Sequence, residues 1–284
     1  MRQRHLFLLL AVLFLASCAR TRIKENTAWG HFFTDNGIKN ACFILRDNNH
    51  ESVHFFNKER VLQRFLPAST FKIFNSLAAL DLGIAPDDNL VIRWDSIPRR
   101  PEWDKDMDMK EAFRESCVPW YQELARRIGP ARMQHFLDTV KYGNMTMAGR
   151  IDTFWLNNSL RISADEQTGF LKRLYFSELP FQDRSQRIVK SLMLREQTPE
   201  YNLYYKTGMC ISGDSTVYWV VGFAERIVNV KEPKGSMNKS DSRYYPYFFA
   251  ENFSVPSSDT SRDWKKIRLD IINQLLKDYG ALPQ

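Results

Sequence analysis

Ser69 and Lys72 stand three residues apart in "FLPASTFKIFNSLAALDLGI", residues 65–84. On a helix, positions i and i+3 share a face about one turn apart, so the Lys72 amine reaches the Ser69 hydroxyl. The neighbours Phe65, Leu66, Phe71, Phe74 and Leu77 are apolar. A desolvated ammonium is unfavourable, which lowers the lysine pKa and makes a neutral amine accessible. A neutral amine beside a hydroxyl is a general base beside a nucleophile. The helix N-terminus favours negative charge developing there. The spacing alone is a weak signal, expected roughly once by chance in a chain of this length. A second copy, Ser236-Met-Asn-Lys239, lies in a polar stretch.

The company of the first copy separates the two. Lys206-Thr-Gly208 follows in a β-rich run, and Ser-x-x-Lys on a helix with Lys-Thr-Gly on a strand marks serine beta-lactamases and penicillin-binding proteins. Between them stand Ser116-Cys-Val118, Tyr142-Gly-Asn144 and Phe154-Trp-Leu156. In this order the five motifs resemble the class D beta-lactamases, the oxacillinase family, over essentially all of residues 28–283.

The resemblance implies a role for each matching position. Ser69 would be the acylated nucleophile. Lys72 would add CO2, supplied as CO2 or bicarbonate, to become N6-carboxylysine, the base for acylation and deacylation. Trp155 would donate its indole N–H to that group, with Phe71, Val118 and Leu156 keeping the pocket dry. Ser116 would relay a proton to the leaving nitrogen. Lys206 and Thr207 would attract the substrate carboxylate, and Gly208 would belong to the substrate-binding strand. The backbone N–H groups of Ser69 and Met209 would form an oxyanion hole, and Trp103 would line the entrance. A carboxylate-binding arginine early in the last helix is expected at Arg268 or Arg262, both suited by charge and forked geometry. By residue type alone Trp155 reads as a core aromatic, Tyr142-Gly-Asn144 as a tight turn, and Cys117 as a buried small hydrophobe rather than a reactive thiol. Asn157-Asn158, Met209-Cys210 and a long 227–245 segment depart from the family pattern and put the substrate profile in doubt, not the reaction.

The elements that must hold these residues are legible. Residues 41–46 and 53–56 read as strands around the turn 47–50, and 69–82 as a helix stopped by Gly83. Helices follow at 118–128, 131–139 and 183–195. Ser163 to Glu166 reads as a capping box opening another, which makes Glu166 a cap rather than a base. Strands return at 201–211, 215–225 and 244–255, with 227–245 as a polar loop. Trp264, Ile267, Ile271 and Leu275 fall at helical spacing before Gly280. The expected class is α+β: an antiparallel sheet made by both chain ends (about 27–66 and 201–284) flanked by helices, and a helical lobe (about 67–200), within one two-lobed domain spanning 19–284.

The leader and composition bound the setting. A basic start and the apolar run Leu6 to Ala16 read as a secretory signal, too short to cross a bilayer. Leu15-Ala-Ser-Cys18 resembles a lipobox, so residues 1–17 are expected to be removed and Cys18 lipidated, giving an exported, periplasmic protein lipid-anchored to a bacterial (outer) membrane. The alternative is an ordinary signal with a chance cysteine. Losing Arg2 and Arg4 takes the formal charge from +7 to +5. Basic residues are scattered among acidic ones, which argues against a nucleic-acid partner. The five histidines show no metal spacing, and no metal is expected. Cys42, Cys117 and Cys210 allow at most one disulfide. The sequence leaves a homodimer open. Beta-lactams are the expected small-molecule partners; a non-hydrolytic beta-lactam sensor and a cell-wall transpeptidase or carboxypeptidase are the competing readings.

Overall fold

The computed structural model describes residues 21–157, 159–230 and 241–284. The leader, Cys18, Asn158 and the second Ser-x-x-Lys copy lie outside the described residues. In chain order the elements are β1 (Arg22–Glu25), α1 (Gly30–Thr34), β2 (Asn40–Asp47), β3 (Ser52–Phe56), α2 (Lys58–Leu62) and β4 (Arg64–Phe65). A 3-10 turn (Ala68–Phe71) runs into α3 (Lys72–Asp81), then α4 (Met109–Arg114), α5 (Val118–Ile128) and α6 (Pro130–Val140). There follow β5 (Ile162–Ser163), α7 (Ala164–Tyr175), α8 (Asp183–Met193), β6 (Leu194–Gln197), β7 (Tyr201–Ser212), β8 (Ser215–Val230), β9 (Asp241–Pro256) and α9 (Trp264–Tyr279).

Seven strands form one sheet in the order β1-β3-β2-β9-β8-β7-β6. All pairs are antiparallel except the edge pair β1 and β3. The class is α+β, with the sheet drawn from both ends of the chain. Period-2 alternation sends successive side chains to opposite faces. Cys42, Ile44, Trp219, Val221, Phe248 and Ala250 pack with Phe71, Phe74 and Leu77 of the helical side. Phe43, Leu45, Val220, Phe249 and Phe253 pack with Ile271, Ile272 and Leu275 of α9.

Two expectations need correction. Residues 227–230 and 241–245 are ladder, not loop: Ile227 pairs with Tyr244 and Val228 with Arg243. Val228 and Tyr244 are exposed there, so this end of the hairpin has no core side to impress an apolar alternation on the sequence. The helix expected over 183–195 ends at Met193, and Leu194 turns into the edge strand β6.

Local signals elsewhere hold. The Ser163 hydroxyl accepts from the Glu166 N–H at 3.2 Å while Glu166 accepts from the Ser163 N–H at 2.9 Å, and Arg64 pairs with the same carboxylate. Glu166 is thus a helix cap. Tyr142-Gly-Asn144 is a staple. The Asn144 side chain donates to Ser159 O at 2.8 Å and accepts from the Arg161 N–H at 2.9 Å. Gly143 takes φ +55°, and a Cβ there would meet Arg161 O at 2.1 Å. The staple therefore fixes the segment that carries Trp155. Cys42, Cys117 and Cys210 are buried and free.

Candidate active site

The nucleophile turn is built against its propensities. Ala68, immediately before Ser69, has φ +49°, and Ser116 has φ +58°. Ser116 occupies the left-handed position that ends α4, where glycine is the favoured residue. Such backbone persists only where packing over-determines it, and it clusters at functional sites. Here it turns two serine hydroxyls toward two buried amines.

Lys72 Nζ donates to Ser69 Oγ at 2.8 Å, and Lys206 Nζ donates to Ser116 Oγ at 2.7 Å and to Thr207 O at 3.2 Å. Both lysines are 1% exposed. Burial pulls the Lys72 pKa down to about 7, against a small opposing pull from Cys117. Burial also holds Lys206 well below the usual lysine range, helped by the charges of Lys72, Arg195 and Arg268. Burial raises the Cys117 thiol, which keeps it protonated and inert.

The strand β7 forms the far wall. Its pairing with β6 ends at Tyr204, so among the described residues the outer edge beyond it has no strand partner. An uncovered edge of this kind presents backbone donors and acceptors to an extended ligand. Gly208 lets that edge close on the nucleophile turn: a Cβ there would meet Pro67 O at 3.0 Å and the Thr70 methyl at 3.1 Å.

A cleft of about 310 Å³ lies between these parts. Ser69, Trp103, Ser116, Val118, Thr207, Gly208, Met209 and Arg268 line it, with Lys72 and Lys206 bonded beneath. Arg268 donates to Gly208 O at 2.9 Å, whereas Arg262 is exposed and donates to Asn36 O. Of the two arginines, Arg268 is the one that lines the cleft. Trp103 is held by its N–H to Glu115 O at 3.1 Å.

Two expected residues stand off the cleft. Leu156 packs half-buried against the core and does not line it. Trp155 is buried and stacks on Phe71 at 5.4 Å, as a core aromatic would. Yet its indole N–H is buried without an acceptor. Leaving a buried donor unpaired costs about 1–3 kcal/mol, so this position does more than fill space.

Four lining residues were not anticipated: Arg100, Arg114, Glu115 and Lys265. Arg114 and Glu115 adjoin Ser116 in sequence, and Lys265 precedes Arg268 by one helical turn, which was the available signal. Together with Arg268 they give the cleft walls four cations against the single carboxylate of Glu115. The field favours an anionic ligand.

Comparisons with known proteins agree with this geometry. Residues 38–244 match the penicillin binding protein transpeptidase domain, the wider class that the fold and site define. Beta-lactamase OXA-48 of Klebsiella pneumoniae is 38% identical over 261 residues, 92% of this chain and 91% of the relative. Beta-lactamase OXA-10 of Pseudomonas aeruginosa is 34% identical over 264 residues, 92% of this chain and 91% of the relative. The solved class D beta-lactamase from Sebaldella termitidis superposes with a TM-score of 0.82 at 30% identity, covering 93% of this chain and 100% of that one. The chain belongs to the class D beta-lactamases.

Proposed function

We propose that the protein hydrolyses the lactam amide of penicillins and related antibiotics through an acyl-enzyme on Ser69, a reaction that confers resistance to them. The observation that carries this reading is the 2.8 Å bond from a water-excluded Lys72 to Ser69 Oγ, beside an uncovered strand edge in a cationic cleft. The relatives' shared name, beta-lactamase, points the same way.

The substrate carboxylate is drawn by Arg268, Lys206 and Thr207. An arriving anion offsets the desolvation that lowers Lys206, so substrate binding favours its charged form. The β7 edge aligns the lactam carbonyl, and the N–H groups of Ser69 and Met209 receive its developing negative charge. Lys72 takes the Ser69 proton as Oγ attacks the carbonyl carbon. The C–N bond breaks as the proton taken by Lys72 passes to the departing nitrogen through Ser116, which is bonded to Lys206, and Lys72 is free again. Water then attacks the ester carbonyl and gives a proton to Lys72; the bond to Ser69 Oγ breaks, and that proton returns to Oγ as the opened acid leaves.

The residues fit a CO2 adduct on Lys72: the amine is buried and lowered to about 7, and the unpaired Trp155 N–H awaits an acceptor. With CO2 added at its Nζ, Lys72 would supply a carboxylate as a stronger proton acceptor, and Trp155 would hold it.

The test is a time course with a chromogenic cephalosporin on the form starting at Ala19, with and without bicarbonate. Sustained hydrolysis that rises with bicarbonate is the expected result. One burst equal to the enzyme concentration would replace this reading with a beta-lactam sensor or a transpeptidase.

Export and anchoring rest on the residues before Ala19. Lipidation at Cys18 would hold the enzyme on the periplasmic side of a membrane, where lactams pass. Metabolic labelling with a radioactive fatty acid should mark the wild type and not the Cys18→Ser variant. Equal labelling of both would sink the anchor.

A further inference from the structure

Two carboxylates are buried on the α9 face of the sheet, and they are treated oppositely. Asp47 accepts from the Asn49 N–H and side chain, the His50 N–H and ring, and the Tyr279 hydroxyl. Glu251 accepts from nothing. It is 0% exposed, and both of its carboxyl oxygens are buried without a partner. On β9 it stands between Val220 of β8 and Phe43 of β2, at a position that period-2 alternation turns toward α9.

Such a group has no evident use in the packing. An apolar side chain would serve the layer better, since a buried carboxyl without hydrogen bonds is destabilising. Its charged neighbour is Arg268, on the helix that covers this face. Arg268 is 8% exposed, donates to Gly208 O at 2.9 Å, and lines the cleft. Glu251 in turn is the largest of the neighbouring charges acting on the Arg268 guanidinium.

We propose that Glu251 is a positioning residue for recognition of the substrate carboxylate: as a neutral acid it leaves the Arg268 charge free to face the cleft, and on ionising it takes that charge for itself. The inference rests on the reading that Arg268 grips the substrate carboxylate. The sign follows from burial, which raises Glu251 well above the ordinary carboxyl range, against the opposing pull of Arg268. Buried without a hydrogen-bond donor, the acid favours its neutral form, and rising pH is what ionises it. The other titratable groups around the pair are Cys42 of β2, pushed up to about 12 by burial, and Tyr218 and Tyr205, both raised by burial. Asp263, near the start of α9, acts weakly on Arg268.

The experiment compares KM and kcat for benzylpenicillin from neutral to alkaline pH in the wild type, Glu251→Gln and Glu251→Leu. Thermal melting confirms that each variant is folded. Loss of protons from Lys206 affects all three alike, so the ratio of wild type to variant isolates Glu251. The wild-type KM should climb about tenfold further than that of either variant on the alkaline limb, with kcat moving in parallel in all three. In an Arg268→Ala background, Glu251→Gln should leave the pH profile of KM unchanged. Independently of turnover, difference infrared spectra at neutral pH should show a protonated-carboxyl band in the wild type that Glu251→Gln lacks.

Superimposable KM profiles, an effect confined to kcat, an effect that survives Arg268→Ala, or absence of the infrared band would each overturn the role of Glu251. A wild type that hydrolyses no lactam at all would instead overturn the reaction on which it rests.

Discussion

Lys72→Ala is expected to lower steady-state hydrolysis by about 10⁴-fold, the upper range for removing a general base. The loss should fall on kcat/KM as much as on kcat, because the amine acts in the first proton transfer. Folding should survive. The Lys72 amine makes its hydrogen bond to Ser69 Oγ, and no carboxylate pairs with it, so its removal strands no buried anion. Stability should in fact rise, with a definite pH signature. The folded lysine titrates at about 7 and its ordinary value is 10.5, so between these limits the unfolded chain binds more protons. Wild-type stability is therefore lowest below about pH 7 and recovers as pH rises toward the ordinary value. The advantage of Lys72→Ala in chemical denaturation should be greatest near and below neutrality and shrink on the alkaline side. Lys206, also lowered, contributes the same trend, and less of it in the variant because the Lys72 charge that helps lower it is gone, which adds to the difference with the same sign. Undiminished turnover would remove Lys72 from the mechanism, and a constant stability difference across pH would contradict its desolvation.

Trp155→Phe is expected to separate acylation from deacylation. Phenylalanine retains a ring to stack on Phe71 and deletes only the unpaired N–H, with some volume. If that N–H holds the proton acceptor at Lys72, the acceptor loosens and the second proton transfer fails more severely than the first. Steady-state kcat should fall about 100-fold while a burst of product equal to the enzyme concentration appears. Intact mass should then show an acyl adduct that persists for minutes, and bicarbonate should shorten its life. Melting should change little, because deleting an unsatisfied buried donor offsets part of the cavity left by the smaller ring. A variant with wild-type kcat and no burst would return Trp155 to a packing role.

The two substitutions probe residues of different legibility. Lys72 could be placed from its own neighbourhood: three positions from Ser69 on an apolar helix, its reach and its desolvation are both local. The cap at Glu166 and the alternation of β2 were equally readable, because helix capping and strand pleat depend on residues within one turn of each other. The hairpin beyond Arg226 was misread for the complementary reason. Its strands leave the core, so no alternation marks them, and only pairing with a partner strand defines them.

The site divides along the same line. By itself the sequence determined which residue types were available, the Ser69–Lys72 pair, the mixed α+β order and the alternating faces of the strands. Tertiary structure decided what meets what across the chain. Lys206 finds Ser116 although 90 positions separate them, and Arg268 rather than Arg262 reaches Gly208 from 60 positions away. Gly208 proves to be the place where a strand edge closes on the nucleophile turn. Trp155 looks like core until its N–H is seen to lack a partner, and Glu251 is buried without a partner only because the sheet and α9 close over it. Spacing encodes contacts within a turn or a pleat, whereas desolvation and long-range partners exist only once the layers have packed.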